Sequence, residues 1–143
     1  MIPEIVQSHH SECELKKTSV FLLLLLSTVT SGIYFPVWFL TQLKGLNSLR
    51  STEKLNPGVF IFAILMISMA ILLPLVSINE YGYVLSLLLQ VVFIMLMIDQ
   101  CIKVRRILED HHKVAFGKDM DVSKVATVCF QIFYLQYKIN RMC

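Results

Sequence analysis

Long stretches without an acidic or basic side chain constrain this chain more than any other feature of its sequence. The first stretch lies between Lys17 and Lys44 and is 26 residues long. Its core, residues 20–40, would extend about 31 Å as an α-helix, which matches the hydrocarbon thickness of a bilayer. Only 16% of the residues are charged, whereas a soluble domain carries about 25%. The sequence therefore predicts an integral membrane protein.

Two further stretches have the length and composition of membrane segments. They cover residues 59–77 and 82–102, and the short connection between them predicts an antiparallel helical hairpin. Asn56-Pro57-Gly58 is a turn signal just before the first of the two. We therefore expect an all-α membrane protein with three transmembrane helices, built as one domain over residues 1–143 with an N-terminal tail at residues 1–19.

The first segment is less uniform than the other two. A small, hydroxyl-bearing patch covers residues 27–32, and such residues let helices approach closely. Pro36 follows Gly32 by four residues, so a kink or break is expected near Gly32–Pro36. An alternative stays open, in which this segment is re-entrant or lies in the plane of the membrane and only two helices cross.

Residues 103–143 are predicted to form a cytoplasmic tail. The third helix continues into it, because an apolar stripe keeps helical spacing through Met97, Cys101, Val104 and Leu108. Opposite charges four residues apart support this extension, and the pairs are Asp99/Lys103, Arg105/Glu109 and Arg106/Asp110. Residues 111–124 are polar and predict a loop.

A final amphipathic helix is predicted at residues 122–141. Its apolar stripe consists of Val125, Val128, Ile132, Leu135 and Ile139. The uncharged part of this helix has only 13 residues, between Lys124 and Lys138, which is too short to span a bilayer comfortably. We expect it to be interfacial or packed beside the spans.

The distribution of Lys and Arg predicts the orientation. With three spans, Lys16 and Lys17 lie on one side and the other eleven of the 13 basic residues lie on the opposite side. The positive-inside rule then puts the C-terminus in the cytoplasm and the N-terminus outside. In the two-span alternative all 13 basic residues are cytoplasmic, which fits the rule slightly better.

No arrangement of residues predicts catalysis or a metal site. His9-His10 with Cys13, and His111-His112, lack the paired, closely spaced ligands of structural zinc, so chance surface histidines are the better interpretation. The basic residues are interleaved with acidic ones, which argues against a dedicated lipid or nucleic-acid patch. We therefore expect no enzyme, no cofactor and no nucleic-acid partner, and we expect contacts with the lipid bilayer and with another membrane protein or a second copy.

A few residues within or beside the membrane segments stand out as candidates for interaction. Gln90, in the third segment, is the most polar of the intramembrane side chains, and an interhelical hydrogen bond from it would contribute about 0.6–2 kcal/mol. Tyr34 and Trp38 are four residues apart and share one helix face near the cytoplasmic boundary. The full set of candidates is Gly32, Tyr34, Pro36, Trp38, Asn47 and Gln90.

The pattern Gly32-Ile33-Tyr34, Trp38 and Leu46-Asn47 resembles a widespread prokaryotic membrane family, catalogued as domain of unknown function 4234. The closing residues 133–141 are similar to the tail of some members, so the resemblance covers most of the chain from residue 18 onward. It implies a small multi-span protein of the prokaryotic cytoplasmic membrane, and it supplies no activity, substrate or catalytic residues.

The sequence therefore favours a non-enzymatic accessory or scaffold protein of the plasma membrane. The alternative is an oligomeric channel or transporter subunit that assembles around Gln90 and the hydroxyls of the first segment. A membrane enzyme ranks third, because it would need chemistry from Asn47, Asp110, His111 and His112, whose spacing gives little support.

Overall fold

The computed structural model describes residues 15–49, 51–77, 79–117 and 122–142, and over these residues it is all-helical. The helices are α1 (Val20–Val29), α2 (Tyr34–Ser48), α3 (Pro57–Val76), α4 (Glu80–Phe116) and α5 (Lys124–Met142). The all-α prediction is confirmed. The expectations for His9, His10 and Cys13 concern residues outside the described ranges.

Two of the helices, α3 and α4, are long and apolar enough to cross a membrane. Asn56 starts α3, because its side chain accepts a hydrogen bond from the Gly58 backbone N–H at 2.9 Å. Pro57 follows in the first turn, where its missing N–H leaves no helical hydrogen bond unmade. Pro74 lies only two residues before the end of α3, so it interrupts little of the helix.

The two long helices pack together as the antiparallel hairpin that their short connection predicts. Near the connection, Gly82 lies so close to α3 that a Cβ atom there would be 2.4 Å from the Ser77 side chain. One turn further, the Ser86 hydroxyl donates to the backbone carbonyl of Ala70 at 2.6 Å. Only a glycine permits this approach, so Gly82 fixes how tightly the hairpin closes.

The first apolar stretch is not one helix, because α1 ends at Val29 and α2 begins at Tyr34. The Gly32 N–H donates to the Ser27 carbonyl and the Ser31 N–H to the Thr28 carbonyl, which is the hydrogen-bond pattern of a Schellman motif. Ser31 adopts φ +50° and Gly32 φ +92°. The break predicted near Gly32–Pro36 is thus present, and it lies just before Pro36.

The chain also reverses direction at this break. The Lys16 N–H donates to Gln42 Oε1 at 2.9 Å, and Gln42 Nε2 donates to the Lys16 carbonyl at 2.8 Å. In one continuous helix these residues, 26 positions apart, would be separated by about 39 Å. The expectation that residues 20–40 form one transmembrane helix is therefore not met; α1 and α2 form a hairpin whose two ends meet.

The helix α4 continues well past its apolar part. It has 37 residues and ends where Gly117 adopts the left-handed conformation, with its N–H donating to the Lys113 carbonyl. The prediction of a loop at 111–124 is therefore wrong for residues 111–116, which are helical. The prediction failed because this polar segment has no apolar stripe at helical spacing. A helix that faces solvent needs no such stripe, so a polar composition is compatible with a helix as well as with a loop.

The core lies where α2, α3, α4 and α5 meet. Phe39 of α2 stacks on Phe60 of α3 with ring centroids 4.8 Å apart, and Phe35 contacts Phe133 of α5 edge-on. The predicted stripe on α4 is buried, as are three of the five predicted stripe residues on α5; these side chains are Met97, Cys101, Val104, Leu108, Ile132, Leu135 and Ile139. Of the two arrangements expected for α5, it adopts the one packed beside the other helices.

Candidate functional site

A cluster of buried polar side chains joins three separate parts of the chain. It consists of Trp38 and Gln42 from α2 and Gln136 and Asn140 from α5, and we call it the glutamine cluster. Gln136 and Gln42 are at most 1% exposed. The Trp38 indole N–H donates to Gln136 Oε1 at 2.8 Å, and Gln42 Nε2 donates to the same oxygen at 3.2 Å.

The cluster also holds the backbone that precedes α1. Gln136 Nε2 donates to the Lys16 carbonyl at 3.1 Å and to Asn140 Oδ1 at 2.8 Å. Asn140 Nδ2 donates to the Thr18 carbonyl at 2.8 Å. Gln136 therefore uses both N–H donors and both acceptor positions of its amide. Because this amide is satisfied, we interpret the cluster as a structural lock on the α1–α2 hairpin rather than as a ligand site.

Sequence reasoning identified Trp38 but missed its partners. Gln42 and Gln136 lie on helix faces that otherwise carry apolar residues, and each has a second cluster member four positions away. That spacing places the members of each pair on one face. A polar residue on an apolar stripe, paired at this spacing, is the signal that could have revealed the cluster.

Gly32, Tyr34 and Pro36 build the hairpin turn. Thr30 Oγ1 accepts a hydrogen bond from the Tyr34 backbone N–H at 3.1 Å and so caps the start of α2. Pro36 is the third residue of α2, where no intrahelical donor is needed. These three candidates therefore shape the polypeptide backbone.

Asn47 closes the loop between α2 and α3. Its Nδ2 donates to the Leu55 carbonyl at 3.0 Å, and its Oδ1 accepts from the Leu55 N–H at 2.8 Å. Lys54 Nζ adds a bond to the Asn47 carbonyl at 2.6 Å. Asn47 thus joins the end of α2 to Leu55, which lies just before α3. Its role in the structure is to hold the loop closed and so to position the start of α3.

Gln90 lies on the outer surface of α4. Its side chain is exposed, and its Nε2 is 3.4 Å from Ser86 Oγ, whose own hydrogen is donated to Ala70. The amide oxygen has no hydrogen-bond partner among the described residues. The interhelical hydrogen bond expected from Gln90 is therefore absent among the described residues. The side chain lies on the exposed face of α4.

The helices α1, α3 and α4 carry many exposed apolar side chains, and those on α4 surround Gln90. Phe21, Leu24 and Val29 of α1 are each at least 50% exposed. The helices α3 and α4 show the same feature, with exposed side chains that include Ile61, Phe62, Leu65, Met69, Leu72, Val84, Leu87, Leu88, Val91 and Val92. Exposed apolar surface of this extent is typical of lipid or protein contact.

Charged residues gather at the opposite end of α4 from Gly82. Two predicted ion pairs are present, with Lys103 3.1 Å from Asp99 and Arg105 2.5 Å from Glu109. The third prediction is wrong, because Arg106 pairs with Glu53 at 3.2 Å and Asp110 instead accepts a hydrogen bond from Ser51. The loop before α3 thereby binds the extension of α4.

A cavity of about 500 Å³ lies between this extension and α5. It is lined by Ile102, Arg105, Arg106 and Glu109 of α4 and by Lys124 and Val128 of α5, and we call it the cationic pocket. Arg105 is held in place, since its Nε donates to the Val122 carbonyl at 2.6 Å. Three cationic side chains and one carboxylate face the cavity, which gives it a positive balance.

Metal binding has no support in the described ranges, where no group of three or more His, Cys, Asp and Glu side chains could hold an ion. His111 and His112 lie in the last turns of α4, and the His112 ring contacts Phe116 with centroids 5.0 Å apart. Comparison of the chain with protein-family models, curated proteins and solved structures found no match. The resemblance to domain of unknown function 4234 therefore stays a prediction.

Proposed function

We propose that the chain is an integral membrane protein in which α3 and the apolar part of α4 cross the bilayer. The α1–α2 hairpin enters the membrane from the side of the chain termini and returns to it. The support is the exposed apolar surface of α1, α3 and α4. Since α1 has 10 residues, it is about 15 Å long, or half the hydrocarbon thickness.

The hydroxyl groups of the hairpin suit this location. Ser27, Thr28 and Thr30 each donate at 2.8 Å to the carbonyl one turn earlier in α1. Because unsatisfied polar groups are costly in hydrocarbon, hydroxyls bonded to their own helix are compatible with lipid. The hydroxyl-bearing patch at residues 27–32 is therefore compatible with a hairpin that enters the membrane, as well as with contacts between helices.

The proposed orientation has both termini in the cytoplasm. With a re-entrant hairpin, all 13 Lys and Arg residues lie on one side, and the connection between α3 and α4 carries none. Such an asymmetry is characteristic of the cytoplasmic side. The resemblance described above supports the prokaryotic plasma membrane as the location.

Within that membrane, we propose that the protein is a non-enzymatic accessory or scaffold subunit that binds a transmembrane helix of another protein. The observation that carries this proposal is the exposed Gln90, surrounded on α4 by Leu87, Val91 and Ile94. The Gln90 Nε2 group donates to Ser86 Oγ, whereas the amide oxygen has no partner among the described residues, and a donor on a second helix would satisfy it. The expected partner is therefore a helix that presents a hydrogen-bonding residue at matching depth.

Affinity capture from native membranes in mild detergent, after cross-linking, tests the proposal. The wild-type chain should retain a larger membrane protein, and Gln90→Leu should lower the retained amount about 3- to 30-fold, the factor that corresponds to about 0.6–2 kcal/mol. Ser68→Ala is the matched control, because the Ser68 hydroxyl is bonded to Ile64 of its own helix. Recovery of the wild-type chain as a lone species would contradict the proposal.

The channel or transporter alternative uses the same residue in a different way. Several copies would arrange their Gln90 side chains around a shared pore, so cross-linking would give a ladder of homo-oligomers. Replacing Gln90 by Leu should then abolish a flux across reconstituted vesicles. A flux that survives this substitution would exclude the alternative.

A further inference from the structure

The cationic pocket brings together basic side chains that are far apart in the sequence. On α4, Arg105 and Arg106 lie three and four residues after Ile102, and Glu109 lies four and three residues after them, so all four side chains share one side of the helix. On α5, Lys124 and Val128 are four residues apart and close the cavity from the other side. Packing of α5 on α4 therefore creates the site.

The charge balance of the pocket favours an anion. Its lining carries three cations against one carboxylate, Glu109. Arg106 has an additional acidic partner in Glu53 at 3.2 Å. Lys124 lines the cavity and makes no hydrogen bond or ion pair with another described residue. Arg105 is 12% exposed and is oriented by both Glu109 and the Val122 carbonyl, which gives the pocket a fixed guanidinium.

The pocket also has apolar walls and lies close to the end of the apolar part of α4. Ile102 is the last residue of the proposed membrane segment, and Arg105 follows three residues later. At about 1.5 Å per residue, the Arg105 Cα atom is roughly 4.5 Å beyond the end of this segment, which places the residue in the headgroup layer. The apolar side chains of Ile102 and Val128 are placed to meet the upper part of an acyl chain.

We infer that the cationic pocket binds the phosphate group of an anionic membrane lipid. Arg105 and Lys124 hold the phosphate oxygens, Arg106 adds a second guanidinium, and Ile102 and Val128 contact the lipid backbone. This site would bind one lipid between α4 and α5 and so couple α5 to the membrane surface. The inference rests on the membrane location proposed above.

Native mass spectrometry of the full chain in detergent, titrated with phosphatidylglycerol or phosphatidylcholine, tests the inference. Phosphatidylglycerol should bind more tightly than phosphatidylcholine. Lys124→Gln should weaken phosphatidylglycerol binding about fivefold, because a well-placed basic residue contributes about 1 kcal/mol. The matched control is Lys17→Gln, which removes the same charge from an exposed site outside the pocket and should leave the affinity nearly unchanged.

Two results would overturn the inference. Equal weakening by Lys124→Gln and Lys17→Gln, or equal binding of the two lipids, would mean that no defined site exists. Displacement of phosphatidylglycerol by millimolar inorganic phosphate would assign the pocket to a soluble phosphate compound instead of a lipid. Resistance of the wild-type chain to alkaline extraction from membranes reports separately on the membrane location, so failure of the pocket and failure of that proposal are distinguishable.

Discussion

The Trp38 indole and the Gln136 carboxamide are joined by a 2.8 Å hydrogen bond across 98 positions of the chain. This bond links the hairpin at the start of the chain to the last helix. Both side chains are at most 1% exposed, so the loss of Gln136 leaves the buried indole N–H unpaired.

Replacing Gln136 by Leu should therefore lower the free energy of unfolding of the protein. The substitution leaves the Trp38 N–H without its acceptor and removes one of the two donors to the Lys16 carbonyl, and each buried unpaired group costs about 1–3 kcal/mol. Thermal unfolding of the purified protein in detergent, followed by circular dichroism, measures this change. Tyr137→Phe, at an exposed position of the same helix, is the control, and an equal loss in both variants would contradict the structural role of the cluster.

The hairpin predicts a specific labelling pattern for the first apolar stretch. Single cysteines at Lys17 and Lys44 should react with a membrane-impermeant reagent from the same side of the membrane, because Lys16 and Gln42, one and two residues away from them, are hydrogen-bonded to each other. A cysteine at Asn79, in the connection between α3 and α4, should react from the other side. Labelling of positions 17 and 44 from opposite sides would restore the three-span topology.

The turn between α1 and α2 predicts opposite effects for two neighbouring substitutions. Ser31 has φ +50°, which is costly for a residue with a Cβ atom, so Ser31→Gly should stabilise the protein by about 0.5–1 kcal/mol. Gly32 has φ +92°, so Gly32→Ala should destabilise it by about 1–3 kcal/mol although the space for a Cβ atom is open. Unfolding temperatures of both variants check the prediction, and equal shifts in one direction would contradict this backbone conformation.

The close approach at Gly82 predicts that α3 and α4 separate when this residue gains a side chain. Gly82→Val should force Ser77 away and destabilise the hairpin by about 1–3 kcal/mol, whereas Gly58→Ala, which meets only the flexible Asn56 side chain at 3.2 Å, should have a smaller effect. Cross-linking between cysteines placed at Ala70 and Ser86 should fall in the Gly82→Val variant. Undiminished cross-linking would show that the helices do not depend on this contact.

The sequence predicted the helices whose signals are local. The uncharged run before Glu80 and the apolar stripe through Leu108 locate α3 and α4 because helix periodicity and length are properties of neighbouring residues. The sequence leaves the reversal at Ser31–Gly32 as one of two alternatives, since the same residues also occur in a kinked helix that crosses. The deciding contact, between Lys16 and Gln42, joins distant residues and leaves no periodic signal.

The candidate sites divide in the same way. Trp38 and Asn47 were singled out from their sequence, and the structure gives each a defined set of hydrogen bonds. Gln136 and Lys124 were passed over, since one sits in an apolar stripe and the other in a segment of mixed charge. Their roles depend on how α5 packs against α2 and α4. This packing is determined by contacts between residues that are far apart in the sequence, which a local pattern does not reveal.

The bonds from Gln136 and Asn140 to the backbone of Lys16 and Thr18 join residues that are 120 and 122 positions apart. During synthesis, the α1–α2 hairpin leaves the ribosome long before the residues that fasten it exist. The hydrogen bonds that fasten the hairpin can therefore form only after α5 has been synthesised. A chain truncated before Gln136 would leave the backbone carbonyls of Lys16 and Thr18 without their donors from α5.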